Sequence, residues 1–520
     1  MKNKSYLRRN ALTPAAFWDR TWIWLLLAFA LILLIRVFPA AFMKHAETYE
    51  DEWLYYTMAE SLVRGKGFPV IYYGNTHYER VLYSLLISPA FWTSDRSLQF
   101  FLIDLINTLI QASGIFPVYL LAGDLLADRK KAFLCVLIYA LLPDQALNIT
   151  FMCDPLFMVL SLWVFYFSLK IMDGEVLTGR ERVRSLTGFG ISWFAACYTK
   201  KAGVLYGMVL LLTVLIKCIA RSIQNRRMER PLLCLLPLAA AGAVYLFLGN
   251  NSLTSAFREY LTIVLNKMTM GKTAFAREYI YNLFSCLAAM ALFPMALPLI
   301  YLDRLPEKAR FFTIYLTGCL LAFHFGVTFG SMSKTVQTAC LRYVSMFWIP
   351  FFILFFLVEQ TIDTDTFQGC QDRGRQRFSL WEKVGWGGFL ASCLVMLFAY
   401  RGVELTNSGK PPASVDYTLL IWAEKWGSWR IYYAIAIAIF SIITSTLFFI
   451  NRKTFLLIFF LVWGLLQIYN NRAITERLQQ DYELSETDAK EMLRLDDFVR
   501  ENPDSTFLVL ESEVLSLFPG

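Results

Sequence analysis

The sequence predicts an all-α polytopic membrane protein, on three observations. Of its 520 residues, 57% are hydrophobic and only 17% are charged, a balance more apolar than that of soluble domains. Apolar runs of about 17 to 25 residues recur along the chain, each long enough to cross a hydrocarbon core of about 30 Å. Between them, short basic segments alternate with longer segments rich in aromatic and acidic residues, the asymmetry that sets membrane orientation. A transmembrane β-barrel would instead show short segments of alternating hydrophobicity.

Taken in order, Lys2, Lys4, Arg8, Arg9 and Arg20 precede a first span at roughly 21–43, which puts the N-terminus in the cytoplasm and the loop 44–98 outside. Further spans are expected at roughly 99–124, 132–149, 154–172, 186–199, 202–220, 231–249, 281–302, 311–329, 343–358, 384–400, 431–450 and 454–470. That makes about 13 spans, with the C-terminus outside. Basic density in the inner segments is about twice that in the outer ones, with clusters at 129–131, 221–230 and 373–377. The first run is full-length and leads into an acidic loop rather than a small-residue cleavage site, so it is expected to stay as a span. Outer residues 250–280 read as an amphipathic interfacial stretch, and Trp422, Trp426 and Trp429 as headgroup-level anchors.

Two regions follow: a transmembrane domain over 1–470 and an extracytoplasmic segment over 471–520. In the latter, Ser485 and Asp488 resemble a capping box, Met492 to Val499 carry an apolar helix face, and Thr506 to Leu510 read as a strand. One helix and one strand cannot bury a core alone. This small α/β-like piece therefore either belongs to a fuller domain or packs on the membrane part.

Several function classes are excluded. The net charge of +8 sits in short loops and argues for orientation, not for nucleic acid. Ten cysteines form no C-x-x-C, and Cys135, Cys197 and Cys286 lie inside apolar runs, where packing is their role. His45, His77 and His324 are isolated. No Walker A, dinucleotide or Gly-x-Ser-x-Gly motif occurs.

Chemistry concentrates in the first outer loop. Asp51 and Glu52 lie just past span 1; a carboxylate near the apolar phase is partly desolvated and so more basic, which suits a general base. The bland alternative is a solvated acidic pair. Gly65-Lys66-Gly67 reads as a helix C-cap. Asp154, before Pro155, reads either as the N-cap of span 4 or as a second carboxylate delivered to the same outer face, where with Asp51 it could share a substrate, a proton or a divalent cation. Asp144 is a weaker neighbour. Arg36 lies within span 1, where a cation must snorkel, pair or face a cavity. Arg80, Lys200, Lys201 and Arg342 fall at outer ends of spans and could hold a lipid phosphate or simply snorkel to the headgroups.

The run from Arg36 through Asp51-Glu52, Tyr55-Tyr56, Ala59, Ser61-Leu62, Gly65 and Gly67-Phe68 resembles the first outer loop of the GT-C membrane glycosyltransferases, in particular the protein O-mannosyltransferase and lipid A aminoarabinose transferase group. Tyr83 to Pro89, Asp154, Thr199 to Gly203 and Arg342-Tyr343 look like later elements of that group, so the likeness covers roughly residues 20–345. It implies a GT-C-type fold and an enzyme moving a sugar, with inversion, from a polyprenyl-phosphate carrier to a protein, lipid or glycan acceptor at the outer face. Asp51 would be the base, Glu52 and Asp154 would position acceptor and sugar, and Arg80, Lys200, Lys201 and Arg342 would hold the leaving phosphate. Tyr55 and Glu79 complete the expected substrate-binding set. The cofactor expectation is either none or a divalent cation, Mg or Mn, on Asp51 and Asp154. The oligosaccharyltransferase signature W-W-D-Y-G is absent, and so is a long lumenal insertion; a bacterial plasma-membrane enzyme fits better. A transporter or flippase of lipid-linked glycans is the competing class, but it should show inverted repeats and midplane charges, whereas these charges cluster at the outer mouth. A non-catalytic scaffold would tolerate loss of all three carboxylates.

Overall fold

The computed structural model describes residues 20–40, 50–67, 70–72, 75–77, 81–126, 128–142, 151–173, 179–226, 293–331, 344–368, 379–399 and 454–465, with isolated positions elsewhere. The interfacial stretch 250–280, the Trp422–Trp429 run, the 471–520 segment, Asp144, His45, Glu79, Arg80 and Arg342 lie outside the described residues, or nearly so. The rest is helical but for one short hairpin, and it divides into two compact units: 1–166 with 188–203 and 460–520, and 167–187 with 204–459.

The first unit opens with α1, Arg20–Ala40. The loop expected over 44–98 is folded rather than a connector. It contains α2 (Glu50–Val63), a hairpin of β1 (Val70–Tyr72) and β2 (Asn75–His77), α3 (Val81–Ile87) and a 3-10 turn, Ser88–Trp92. The strands pair antiparallel, Val70 opposite His77 and Tyr72 opposite Asn75. α2 is helical because Glu52, Tyr55, Tyr56 and Ala59 recur at the helical period and make one fully buried stripe. It stops as the glycines predict. The Lys66 N–H donates to the Ser61 carbonyl at 2.9 Å and the Gly65 N–H to that of Leu62 at 3.1 Å; with Gly65 at φ +73°, this is a Schellman ending that a side chain would strain.

Next come α4 (Arg96–Ser113), α5 (Ile115–Leu125) and α6 (Arg129–Leu141). Asp95 caps α4, accepting from the Leu98 N–H, and Asp128 caps α6 through Lys130. The span expected at 99–124 changes helix at Gly114. There the Tyr139 hydroxyl of α6 donates to the Gln111 carbonyl at 2.6 Å. A Cβ on Gly114 would lie 2.1 Å from that hydroxyl oxygen, so only glycine admits the contact. α7 (Asp154–Met172) coincides with its expected span, and α8 (Gly179–Thr199) is longer than its own. α7 begins in the first unit and ends in the second, and α8 does the reverse.

The second unit holds α9 (Val204–Asn225), α10 (Phe293–Ile300), α11 (Glu307–Ser331), α12 (Trp348–Gln368), α13 (Leu380–Ala399) and the apolar helix α14, Thr454–Leu465, up to Phe459. α9 packs along α11, and α10 packs on α12 and α13. One end is laced by ions: Lys217 Nζ donates to the Met172 carbonyl at 2.5 Å, Lys308 meets Asp173 at 2.8 Å, and Arg221 meets Glu307 at 2.7 Å. These pairs carry α9 as helix through part of the basic cluster expected as a loop from 221.

Five described segments are long and apolar enough to cross a membrane: Arg96–Leu125, Asp154–Met172, Lys201–Asn225, Glu307–Gly326 and Ser345–Ile362. The chain is a helical, multi-pass membrane protein.

Gly114→Ala is expected to lower stability by about 1–3 kcal/mol through overpacking against Tyr139. Gly123→Ala, with nothing within 4 Å of the added carbon, should be neutral or stabilising by up to about 1 kcal/mol. Thermal melting of both variants in detergent checks this; equal melting would refute the close approach.

Candidate active site

The folded segment that begins with α2 is fastened to the head of α7 by polar contacts that hydropathy alone does not reveal. The Phe151 backbone N–H donates to Glu52 Oε1 at 2.7 Å, and Glu52 is only 1% exposed. One helical turn on, the Tyr55 hydroxyl donates to Cys153 Sγ at 2.9 Å. Tyr56 stacks on Phe151 with rings 6.5 Å apart and 11° from parallel, and its hydroxyl donates to Gln99 Oε1 at 2.8 Å. Glu52, Tyr55 and Tyr56 therefore sit against residues 151–153, directly ahead of Asp154. Asp51 belongs to the first turn of α2; its side chain is outside the described set.

The helix starts one residue earlier than the cap reading of Asp154 expects. The Cys153 carbonyl accepts from the Phe157 N–H at 3.0 Å, which makes Asp154 the first helical residue, a position where the helix dipole favours a negative charge. Its Oδ1 takes a hydrogen bond from Lys200 Nζ at 2.5 Å. The two side chains are 10% and 17% exposed respectively, so this is a half-sheltered pair rather than a solvated surface one. Lys200 also lies over the Phe157 ring, 5.7 Å from its centroid.

Lys200 is aimed by the turn after α8. Its own N–H continues the helix to Ala196 at 2.9 Å, and its carbonyl accepts from Gly203 at 2.9 Å, closing a 3-10 turn over Lys201–Gly203. The turn folds back on α8: the Trp193 indole N–H donates to the Gly203 carbonyl at 3.0 Å. A Cβ on Gly203 would meet the Ala196 carbonyl carbon at 2.7 Å, which explains glycine after the two lysines. Lys201 points to the exposed surface. Arg36 lies partly buried in α1.

Thus Glu52, Tyr55, Asp154 and Lys200 are brought together. Glu79, Arg80 and Arg342 fall outside the described residues. Among the described residues, no three His, Cys, Asp or Glu side chains gather as a metal set, and Asp154 faces an ammonium. The shared-cation expectation therefore hangs on the Asp51 side chain.

Sequence reasoning passed over a buried polar stripe on α4: Gln99, Asp104, Asn107, Thr108 and Gln111. Asp104 is 1% exposed. The signal was present, since an acid inside an apolar span is costly and marks function by default. Tyr83 of α3, fully buried and edge-on to Tyr55 at 5.0 Å, was also not picked as a site residue. Burial pushes its phenol well above the usual range; Asn107 opposes this, and Cys153, Glu52 and Asp104 reinforce it. Tyr83 is thus a neutral hydroxyl beside the Glu52–Phe151 tie.

The fold and site define a multi-pass helical membrane protein with an acidic centre where a folded loop meets the head of a span. No family model matches the chain, and neither does any curated protein. Among solved structures, it is similar to ArnT from Cupriavidus metallidurans bound to undecaprenyl phosphate, at 13% identity over 96% of this chain and 85% of that one, with a TM-score of 0.46. It is similar to the apo form of that protein at 13% identity over 88% and 76%, TM-score 0.43. It is also similar to the archaeal oligosaccharyltransferase AglB from Archaeoglobus fulgidus, in complex with an inhibitory peptide and a dolichol-phosphate, at 14% identity over 81% of this chain and 56% of that one, TM-score 0.41.

The Asp154–Lys200 contact is testable by a double-mutant cycle. Lys200→Met takes the ammonium away from a sheltered carboxylate and should destabilise more than Asp154→Asn with Lys200→Met together. A coupling of at least about 0.5 kcal/mol is expected from thermal melting in detergent; additive effects would dissolve the pair.

Proposed function

We propose that this protein is a glycosyltransferase that moves a sugar from a polyprenyl-phosphate carrier to a protein, lipid or glycan acceptor at the outer face of a bacterial plasma membrane. About 13 spans, a cytoplasmic N-terminus and an extracytoplasmic C-terminal segment belong to the same proposal. The observation that supports it is the buried Glu52–Phe151 bond. It ties the loop bearing Asp51 to the span headed by Asp154, with Lys200 alongside.

In this reading Asp51 is the base. It removes the proton from the acceptor hydroxyl or amine as that atom attacks the anomeric carbon. The bond from that carbon to the phosphate oxygen breaks on the opposite face, which inverts the centre, and the lipid phosphate leaves with the electron pair. A phosphate needs little protonation to depart, so cations suffice to stabilise it, and such stabilisation is chiefly electrostatic. Lys200, Lys201, Arg80 and Arg342 are the proposed cradle, with Tyr55 and Glu79 at its edge. Glu52, committed to a backbone N–H, holds position; Asp154 orients the sugar and restrains Lys200.

Asp51→Asn is expected to cut transfer by about 10²–10⁴-fold with unchanged melting. The assay is release of free polyprenyl phosphate from polyprenyl-phosphate sugars by purified protein in detergent. Full turnover by Asp51→Asn would remove it as base. Absence of release by the wild type, which in detergent has no second compartment to serve, would favour the flippase. Mass spectrometry of envelope glycans and glycoproteins with and without the protein would then name sugar and acceptor.

A further inference from the structure

The far end of α2 borders a cleft of about 290 Å³, at the small end of ligand pockets, about 300–1,000 Å³. Its walls come from three elements: Glu60 and Arg64 of α2, Trp92 of the 3-10 turn with Thr93 after it, and Arg96 and Gln99 of α4. The mixture is unusual in one respect. Trp92 is 80% exposed, whereas Ser88, Ala90 and Phe91 of the same turn are buried. The indole, with Val63 and Phe91, makes the apolar side of a cleft whose remaining lining is charged, amide and hydroxyl.

That composition selects its ligand. An acyl chain would take water from two guanidinium groups and a carboxylate and offer them no hydrogen bond in return. A pyranose ring has the complementary chemistry. Its C–H face covers an aromatic ring, and its rim of hydroxyls both donates and accepts. Glu60 and Arg64, paired at 2.7 Å, present an acceptor and donors side by side. Gln99 is held rigidly from both ends of its amide: Oε1 accepts from Tyr56 at 2.8 Å, and Nε2 donates to the Thr93 carbonyl at 2.7 Å. The second N–H of that amide is left over at a side chain only 6% exposed. A buried donor of fixed direction gives specificity rather than general stickiness.

We infer that this cleft is a saccharide subsite that takes a pyranose unit of the acceptor. Its assignment to the acceptor rests on the glycosyltransferase reading; its affinity for saccharide does not. Glu60 lies eight residues beyond Glu52 on one helix, about 12 Å along the axis. The subsite therefore stands at a fixed distance from the acidic centre, and would hold a glycan by a ring other than the reacting one.

The test is saturation-transfer NMR on the full-length protein in detergent, without donor, using maltotriose, α-1,6-mannotriose and chitotriose as probes. Saturable transfer is expected from at least one probe. It should weaken on the order of tenfold in Trp92→Ala, the scale of a lost aromatic contact, and persist in Trp92→Phe. Because the side chain is exposed, all variants should melt alike. Asp51→Asn should bind as the wild type does, so loss of turnover and loss of binding remain separable. No saturable transfer with any probe overturns the subsite. So does transfer unchanged by Trp92→Ala, which would make the indole a headgroup anchor.

Discussion

Burying a carboxylate at the edge of a membrane is costly unless a hydrogen bond answers it, and the Glu52–Phe151 bond is where this protein meets that cost. Glu52 is 1% exposed and takes the N–H of a residue just ahead of a transmembrane helix. Backbone there has no helical partner of its own. Each group thus satisfies a need the other creates. The aromatic packing follows from it: with Glu52 fixed, Tyr55 reaches Cys153, Tyr56 lies flat on Phe151, and the Phe91, Phe100 and Phe151 rings close around Tyr56. The folded loop is keyed to the start of α7.

The neighbouring ion pair obeys a second constraint. Asp154 is at the N-terminus of α7, and Lys200 follows the C-terminus of α8. A negative charge is favoured at the first position and a positive one at the second, even before the two meet. Their contact at 2.5 Å adds to two helix-end preferences of the same sense. With Asp154 engaged by Lys200, the proposed mechanism gives it the orienting part and leaves the base's part to Asp51. Lys200, restrained by Asp154 and by the Gly203 turn, has little freedom to collapse elsewhere.

Much of this was readable in the sequence where one local rule decides. The length of α7 matched its apolar run residue for residue, because nothing interrupts 154–172. The stop after α2 followed from Gly65-Lys66-Gly67, because only a left-handed residue closes a Schellman ending. The pair 186–220, hardest to divide, splits at Lys200–Gly203, where the basic-then-glycine element had pointed. What was not readable needed a partner distant in sequence. Gly114 looks like any glycine in an apolar run until Tyr139, 25 residues on, is brought against it. Phe151 and Cys153 look like filler until Glu52 and Tyr55 reach them. The cleft at Trp92 depends on three elements meeting, and no window of one of them contains it. Asp104 is the exception: its signal was local, and it was overlooked beside the denser acidic loop.

The two ends of α2 differ in kind. Near the start, Glu52 is buried and tied down; the far end stops at a glycine in solvent with Arg64 46% exposed. Between them runs a single helix of 14 residues, about 21 Å long, with a buried stripe locked on α3, α4 and the head of α7. A helix so packed does not shorten or bend readily, so it acts as a spacer. The centre at one end and the cleft at the other keep a fixed separation, and a free monosaccharide is too short to touch both. A ligand that engages the two together has to be extended, with one ring in reach of Asp51 and Asp154 and another on Trp92. Under the proposed reading, length rather than the identity of any one sugar is the first property by which acceptors would be sorted.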